Sequence, residues 1–423
     1  MLSAASTPVV RATLPVVGAH LEVIADVFYD TMLTENPGLM NLFSRSAQAS
    51  GEQRQALAGA VAAFGAHLVG LGPDAVILDR IVERIAQRHC ALGVRPEQYA
   101  LVGKYLLAAV GTVLGDAVTP EIAAAWDEVY WLFAVRLIGR EARLYAEAGV
   151  ESGSPWRTFV VARKIREAED AVSFILTPAD GQRTPRFRPG QYVSVAVDLP
   201  DGGRQLRQYS LSQAESGGSL RITVRRVRGV DGRPDGLVSG FLHDQVGVGD
   251  GLELSAAYGD LSLSPTAAPL LLVSAGVGIT PMAAIMDHVA RTEPNREVVA
   301  VHADRNHSRH PLFGDVAGSG SRLRSFRHIV WYEECAELHG GRGAPPVPEA
   351  HEVRIGRVDP DSIPVSPDAE VYLCGPIQFM QAIRSGLHRR GVPEERIHYE
   401  VFGADQWRSG STDVVSPSVD SVV

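Results

Sequence analysis

The sequence predicts three domains in series: an all-α domain, then an antiparallel β-barrel, then an α/β domain built on a parallel sheet. Three observations predict it. Apolar residues recur every three or four positions up to about residue 148, and every second position from Trp156 onward. After Leu270, strand-like and helix-like runs alternate. A chain of 423 residues has room for these parts, each able to bury a core of its own.

Composition narrows the class. With 21% charged and 45% hydrophobic residues the chain is globular in type. A net charge of −9 argues against a nucleic-acid partner, and no block of Lys and Arg contradicts it. Cys90, Cys335 and Cys374 are far apart and odd in number, which excludes a disulfide framework and points to a reducing, cytoplasmic setting. The N-terminus lacks the charged-then-apolar pattern of an export signal. The uncharged stretch 267–286 imitates a membrane span, but Pro269, Gly276, Gly278 and Pro281 divide it into strand, turn and helix start, so no transmembrane segment is expected.

The first domain is assigned to residues 1–148. Val17, Leu21, Ile24 and Phe28 mark one amphipathic helix, Leu57, Val61, Phe64 and Leu68 a second, and Ile77, Ile81 and Ile85 a third. Pro37-Gly38, Gly72-Pro73 and Arg95-Pro96 break the pattern, with Pro96 suited to a first helical turn. A last long helix runs 121–148, and 149–155 is a Gly/Ser/Pro linker. The barrel is assigned to 156–265, where Val193, Val195, Val197 and Leu199 alternate with small or polar residues. Leu220, Ile222 and Val224 alternate with Arg221, Thr223 and Arg225, and the loop 215–219 reads as a hairpin connection. The α/β domain, 266–403, has strands near 270–274, 298–302, 370–373 and 397–402. Its last helix is stopped by Gly391. The Gly/Pro-rich region 314–350 reads as loop, and the Ser/Val/Asp-rich tail 404–423 as disordered.

Candidate site residues follow from side chains that sit oddly in these patterns. His89 ends the Ile77–Ile81–Ile85 stripe, so an imidazole is aimed inward, either as a core histidine or as a metal ligand. Glu141 follows Phe133 and Leu137 on an apolar face, and Tyr99 sits in the turn after Pro96. A buried carboxylate needs a partner, and the N–H of a ligating imidazole is one. Gln53 opens the Leu57 stripe, where an amide facing a cavity would donate to a small bound molecule; Phe28, Tyr29 and Phe43 are placed to line one pocket. In the barrel, Arg207-Gln208-Tyr209-Ser210 puts a guanidinium and a phenol on one strand face, which suits a ligand with a phosphate and a flat ring. Gly236-Leu237-Val238-Ser239 opens a short helix whose N–H groups suit pyrophosphate. Gly276-Val277-Gly278-Ile279-Thr280-Pro281 follows a strand and opens a helix; it is either a tight turn or a phosphate-binding approach.

Residues 1–403 resemble the bacterial flavohaemoglobins, a globin fused to a ferredoxin-reductase-like module. The resemblance is carried by Phe28-Tyr29-Asp30, Asn36-Pro37, Gly51-Glu52-Gln53-Arg54, Ile85-Ala86-Gln87-Arg88-His89, Arg95-Pro96-Glu97-Gln98-Tyr99 and Arg140-Glu141-Ala142, then Phe187-Arg188-Pro189-Gly190-Gln191-Tyr192. It implies haem b, FAD and NAD(P)H as cofactors and O2 and nitric oxide as ligands, with nitrate as product. His89 then resembles the proximal iron ligand with Tyr99 and Glu141 behind it, while Tyr29, Gln53 and Leu57 resemble the distal pocket and Phe43 packs on the haem. Arg88 stands where relatives often have Lys. Tyr192, Arg207 to Ser210, Gly236 to Ser239, Glu400 and Phe402 resemble the FAD site, and Gly259-Asp260 the end of the flavin domain. Gly276 to Pro281 with Cys374-Gly375-Pro376 resemble the nicotinamide site. The resemblance implies a cytoplasmic monomer that prefers NADH, although Asp304 would repel a 2′-phosphate and Arg305 and Arg309 would attract one. The same electron chain would also serve peroxide, quinone or ferric reduction, and a globin could instead act as an oxygen sensor or store. The family stops near residue 403 and does not account for the tail.

Overall fold

The computed structural model describes residues 1–41, 52–150, 155–199, 203–229, 235–334 and 351–402. Phe43, the expected tail 404–423, part of the linker and residues 335–350 of the expected loop lie outside the described residues, as does the side chain of Gln53.

Among the described residues the first domain has six α-helices: α1 (Ser6–Ala19), α2 (Leu21–Glu35), α3 (Glu52–Leu68), α4 (Ala75–Leu92), α5 (Pro96–Leu114) and α6 (Pro120–Glu147). The periodic run from Val17 to Phe28 was expected to be one helix. It is two, bent by 80° at His20, whose backbone leaves the helical region and whose Nδ1 bonds the Val16 carbonyl at 2.8 Å. The expected breaks at Pro37, Gly72-Pro73 and Arg95-Pro96 are where helices end or begin. Asp74 caps α4 by accepting from the Ile77 N–H at 2.9 Å, and Gly93 closes it with φ 74°. Among the described helices, 96–117 is long and apolar enough to cross a membrane; here it packs on α2 and α6.

The inward face of α4 is not the one expected. Leu78, Val82, Ala86 and Cys90 are buried, whereas Ile77 is 39% exposed and Ile81, Ile85 and His89 are half-buried. The isoleucine stripe is a second apolar face, one position round the helix, and His89 lies at its end.

The second domain is a six-stranded antiparallel sheet in the order β4-β3-β6-β1-β2-β5. Its strands are β1 (Trp156–Ala168), β2 (Ala171–Pro178), β3 (Tyr192–Asp198), β4 (Arg204–Ser210), β5 (Leu220–Arg225) and β6 (Gly251–Ser255), with one short helix, α7 (Leu237–Asp244). The expected hairpin between β4 and β5 is reduced to one bridge, Leu211 to Ile222, because β5 pairs along its length with β2. That bridge joins the two edges of the sheet and closes it as a barrel. The polar face of β5 is buried rather than solvated. Thr223 bonds Ser212 and Ser173 at 2.8 and 2.7 Å, and Arg221 pairs with Asp315 of the third domain at 2.6 Å.

The third domain is a parallel sheet in the order β10-β9-β8-β7-β11-β12. It comprises β7 (Leu270–Ala275), β8 (Val298–Asp304), β9 (Phe326–Tyr332), β10 (His351–Ile355), β11 (Glu370–Cys374) and β12 (Ile397–Glu400). Helices α8 (Ile279–Thr292) and α9 (Phe313–Gly320) cover one face and α10 (Ile377–Arg389) the other. The stretch 267–286 is strand, turn and helix, as expected. Region 314–350 was expected to be loop, yet it holds most of α9 and all of β9. The run Ile329-Val330-Trp331-Tyr332 is continuously apolar because both faces of that strand are buried.

Five histidines meet at one side of this sheet. The His302 and His310 rings stack at 3.9 Å, His328 and His351 face each other through Nδ1 at 2.9 Å, and His307 and His310 both reach the Tyr332 hydroxyl. Burial pulls His302 and His310 below the usual histidine range and His328 down to about 3. Each folded-state value lies below the unfolded one, so the stabilising effect of keeping these rings neutral is complete above about pH 6.5 and is lost as pH falls. Thermal unfolding of the third domain is therefore expected to move to lower temperature between about pH 7.5 and pH 5.5, with a shallower slope in His328→Phe. A transition that stays at the same temperature over that range contradicts this.

Candidate functional site

Three helices converge behind His89. Its Nδ1–H donates to Glu141 Oε1 at 2.8 Å, and the Tyr99 hydroxyl donates to the same oxygen at 2.5 Å. Burial, with the Glu141 charge beside it, pushes the Tyr99 hydroxyl far above its ordinary pKa, so it stays a neutral donor. Tyr99 is itself fixed: Pro96 starts its helix, and the Tyr130 hydroxyl donates to the Tyr99 carbonyl at 2.5 Å. Glu141 is 2% exposed, and Arg140 next to it pairs with Glu83 of α4. These bonds lock the imidazole with Nδ1 protonated, leaving Nε2 as the lone-pair nitrogen on the exposed side of the ring. The half-buried stripe Ile77, Ile81 and Ile85 runs up to it. An imidazole held in this tautomer beside an apolar face fits a haem.

Phe28 and Tyr29 are buried in α2, with ring centroids 4.7 Å apart in an edge-on pair. Leu57 is half-buried in α3, and Arg88 is half-buried beside His89.

In the barrel, Arg207, Gln208, Tyr209 and Ser210 lie on β4, with Ser210 opposite Tyr192 of β3. Two features of β4 fit an anionic, ring-bearing ligand. Arg207 has no carboxylate partner among the described residues; its guanidinium meets only the Leu206 carbonyl at 2.8 Å and Gln205 at 3.5 Å. The Ser210 hydroxyl is buried with no hydrogen-bond partner. Gly236 caps α7, but Ser239 is spent locally. Its hydroxyl accepts from the Val227 N–H and donates to the Gly236 carbonyl, each at 3.1 Å. Leu237 is half exposed and Val238 is buried. Tyr192 packs into the core of the first domain together with Tyr258. Glu400 ends β12, and Phe402, just beyond it, is 44% exposed.

The segment from Gly276 to Pro281 is a 3-10 turn running into the first turn of α8. A side chain at Gly278 would place Cβ 2.3 Å from the Cys374 carbonyl oxygen, so only glycine lets this turn approach the end of β11. Thr280 ties the turn through a 3.0 Å bond to the Val277 carbonyl. Cys374 is buried, which pushes its thiol up and keeps it neutral, and Gly375 and Pro376 lead into α10. The turn and Cys374-Gly375-Pro376 thus meet at the carboxyl ends of adjacent strands, the expected place for a ligand in an open α/β sheet.

Several groups were missed by sequence reasoning. Arg225 bonds Asp304 at 2.8 Å and the Arg309 carbonyl at 2.5 Å, linking barrel to α/β domain. Gln87 and Arg84 tie α4 to the barrel. A lone Gln or Arg on a helix gives no signal in a single sequence; only the fold shows what it faces.

The chain matches three families: globin over residues 26–136, oxidoreductase FAD-binding domain over 158–263 and oxidoreductase NAD-binding domain over 272–385. It is 44% identical over 411 residues to a flavohemoprotein of Bordetella pertussis, covering 95% of this chain and 99% of that one. A flavohemoglobin of Malassezia yamatoensis, solved with bound FAD and heme, superposes with a TM-score of 0.82 at 33% identity, over 95% of this chain and all of that one. The FAD/NAD-binding domain of a Vibrio cholerae nitric oxide dioxygenase, 36% identical, matches with a TM-score of 0.52 over 58% of this chain and 98% of its own. With a helical globin domain, an FAD-binding barrel and an NAD-binding α/β domain in that order, the chain belongs to the flavohaemoproteins, oxidoreductases that combine haem, FAD and a nicotinamide.

Proposed function

We propose that the chain is a nitric oxide dioxygenase that converts NO and O2 to nitrate with electrons from NAD(P)H. The observation that carries this reading is the Glu141 carboxylate accepting from both His89 and Tyr99, in one chain with a complete reductase. The haem supplies a gas-binding, one-electron metal, and FAD splits the hydride pair into single electrons.

The residues do the rest. Glu141 draws on the Nδ1–H of His89 and so makes Nε2 a stronger donor, which favours activation of O2 over reversible carriage. Tyr99 holds Glu141 in place as a neutral hydroxyl. The Tyr29 hydroxyl would serve as hydrogen-bond donor to the gas ligand of a bound haem. Arg207 would hold a flavin phosphate and the Ser210 hydroxyl a ring atom, and Phe402 would cover the flavin ring. The Gly276–Gly278 turn takes the nicotinamide pyrophosphate on its backbone N–H groups.

Purified protein in air is expected to consume NO only when NADH or NADPH is present, with nitrate accumulating in equal amount. NO decay unaffected by the nicotinamide removes the dioxygenase reading and leaves a reductase or an oxygen carrier. Tyr29→Phe is expected to speed O2 dissociation roughly tenfold with haem retained, the effect of losing one hydrogen bond to a charged acceptor. An unchanged off-rate counts against a donor role. Glu141→Gln, which keeps the shape and removes the anion, is expected to slow NO consumption roughly tenfold and raise the haem potential. A potential equal to that of the parent protein refutes the push from Glu141.

A further inference from the structure

Helix α4 presents two polar side chains to the reductase, three residues apart and so on one face. Gln87 is 1% exposed; its Oε1 accepts the Gly259 N–H at 2.9 Å, and its amide donates to Glu83 at 2.7 Å. Gly259 takes φ 130°, and a Cβ there would sit 3.1 Å from the Tyr192 ring. One turn earlier on α4, Arg84 Nε meets Asp260 Oδ2 at 3.2 Å, and Nη1 reaches the Tyr399 hydroxyl at 3.4 Å. Its guanidinium also lies 4.9 Å over the Tyr399 ring. Arg84 belongs to the globin domain, Asp260 to the end of the flavin barrel and Tyr399 to the last strand of the nicotinamide domain, so one guanidinium touches all three.

We infer that Arg84 is a positioning residue for electron transfer from flavin to haem, holding Asp260 and Tyr399 against the helix that carries His89. His89 is on the same helix five residues on, and Tyr399 directly precedes Glu400. A rigid helix thus joins the metal ligand to the strand that borders the flavin. The pair contributes little to stability, since the two side chains are 32% and 25% exposed and ion pairs of that exposure are screened by water. Its role is geometric, and small displacements between reacting centres have large effects on rate. This rests on the electron route proposed above and not on NO being the substrate.

The test uses the full-length holoprotein without O2 or NO and compares the parent protein with Arg84→Met, which keeps the stem over Tyr399, and with Asp260→Asn, which removes the charge from the other side. Flavin reduction by NADH is followed in the flavin band and haem reduction in the Soret band of the same mixture. In both variants flavin reduction is expected within about twofold of the parent rate and haem reduction roughly tenfold slower. Added salt should slow haem reduction in the parent and have little effect in the variants. Hydrogen exchange at the Gly259 amide, which Gln87 protects, should quicken in both variants with haem and flavin contents unchanged. Haem reduction at the parent rate in both variants, or loss of both steps together, overturns the proposal. A parent protein whose flavin is reduced by NADH but whose haem is not overturns the electron route as well.

Discussion

An α-helix repeats every 3.6 residues, and α4 has to satisfy three neighbours within that one period. Leu78, Val82, Ala86 and Cys90 fill the globin core; Ile77, Ile81, Ile85 and His89 form a second stripe; Arg84 and Gln87 meet the reductase. Moving any one of these faces moves the other two, because backbone hydrogen bonding leaves the helix no freedom to rotate one part against another. The placement of His89 relative to the barrel is therefore set by the packing of Leu78, Val82, Ala86, Arg84 and Gln87 as much as by its own contacts. Asp74 and Gly93, which fix where α4 begins and ends, belong to the same constraint.

Buried polar groups divide into those the protein satisfies itself and those it leaves for a ligand. Glu141 Oε1 belongs to the first kind, with two donors converging on it, whereas its buried Oε2 has no hydrogen-bond partner among the described residues. Tyr99 supplies one donor, so His89 does not bear the whole task of satisfying that oxygen. The Arg207 guanidinium and Ser210 hydroxyl belong to the second kind, and both lie on one strand. β4 also packs against the 3-10 segment Pro37–Asn41 of the globin domain. The barrel strand with unspent polar groups thus borders the globin domain, as does β3, whose Tyr192 packs into that domain's core.

Periodicity alone gave the three fold classes and their order, since helix and strand spacing differ and each domain keeps one pattern. The errors arose where one pattern serves two purposes. The spacing from Val17 to Phe28 is consistent across a bend because both helices bury the same side, so periodicity does not see the break at His20. The stripe ending at His89 is apolar, as its spacing predicts, but half-buried rather than core, because the fully buried face of that helix is the one carrying Leu78, Val82, Ala86 and Cys90. Alternation with Leu220, Ile222 and Val224 gives no sign that Arg221 and Arg225 pair with Asp315 and Asp304 of the α/β domain, or that Thr223 bonds Ser173 inside the barrel. Strand β9 was hidden by flanking Gly and Pro residues that belong to its neighbours. Arg84 and Gln87 carried no signal at all, since their meaning depends on residues more than a hundred positions away.

Coenzyme preference shows why residue type is insufficient evidence of a role. An acidic residue at the end of the second strand of an α/β domain normally suggests a partner for a ribose hydroxyl and a barrier to a 2′-phosphate. Asp304 stands at that place, but its side chain is 5% exposed and its carboxylate bonds Arg225 from the barrel, with His302 3.7 Å away. Arg309 is similarly committed, to Glu169 and Asp170. The charges that opposed each other in the sequence are thus spent on holding the barrel to the α/β domain. Arg305, exposed at the strand end, is the charged side chain of the three that still faces solvent. A negative Asp304 neutralised by Arg225 offers a 2′-phosphate little repulsion, so the electrostatic argument for NADH loses its main support, and the balance at this end of the sheet rests on Arg305.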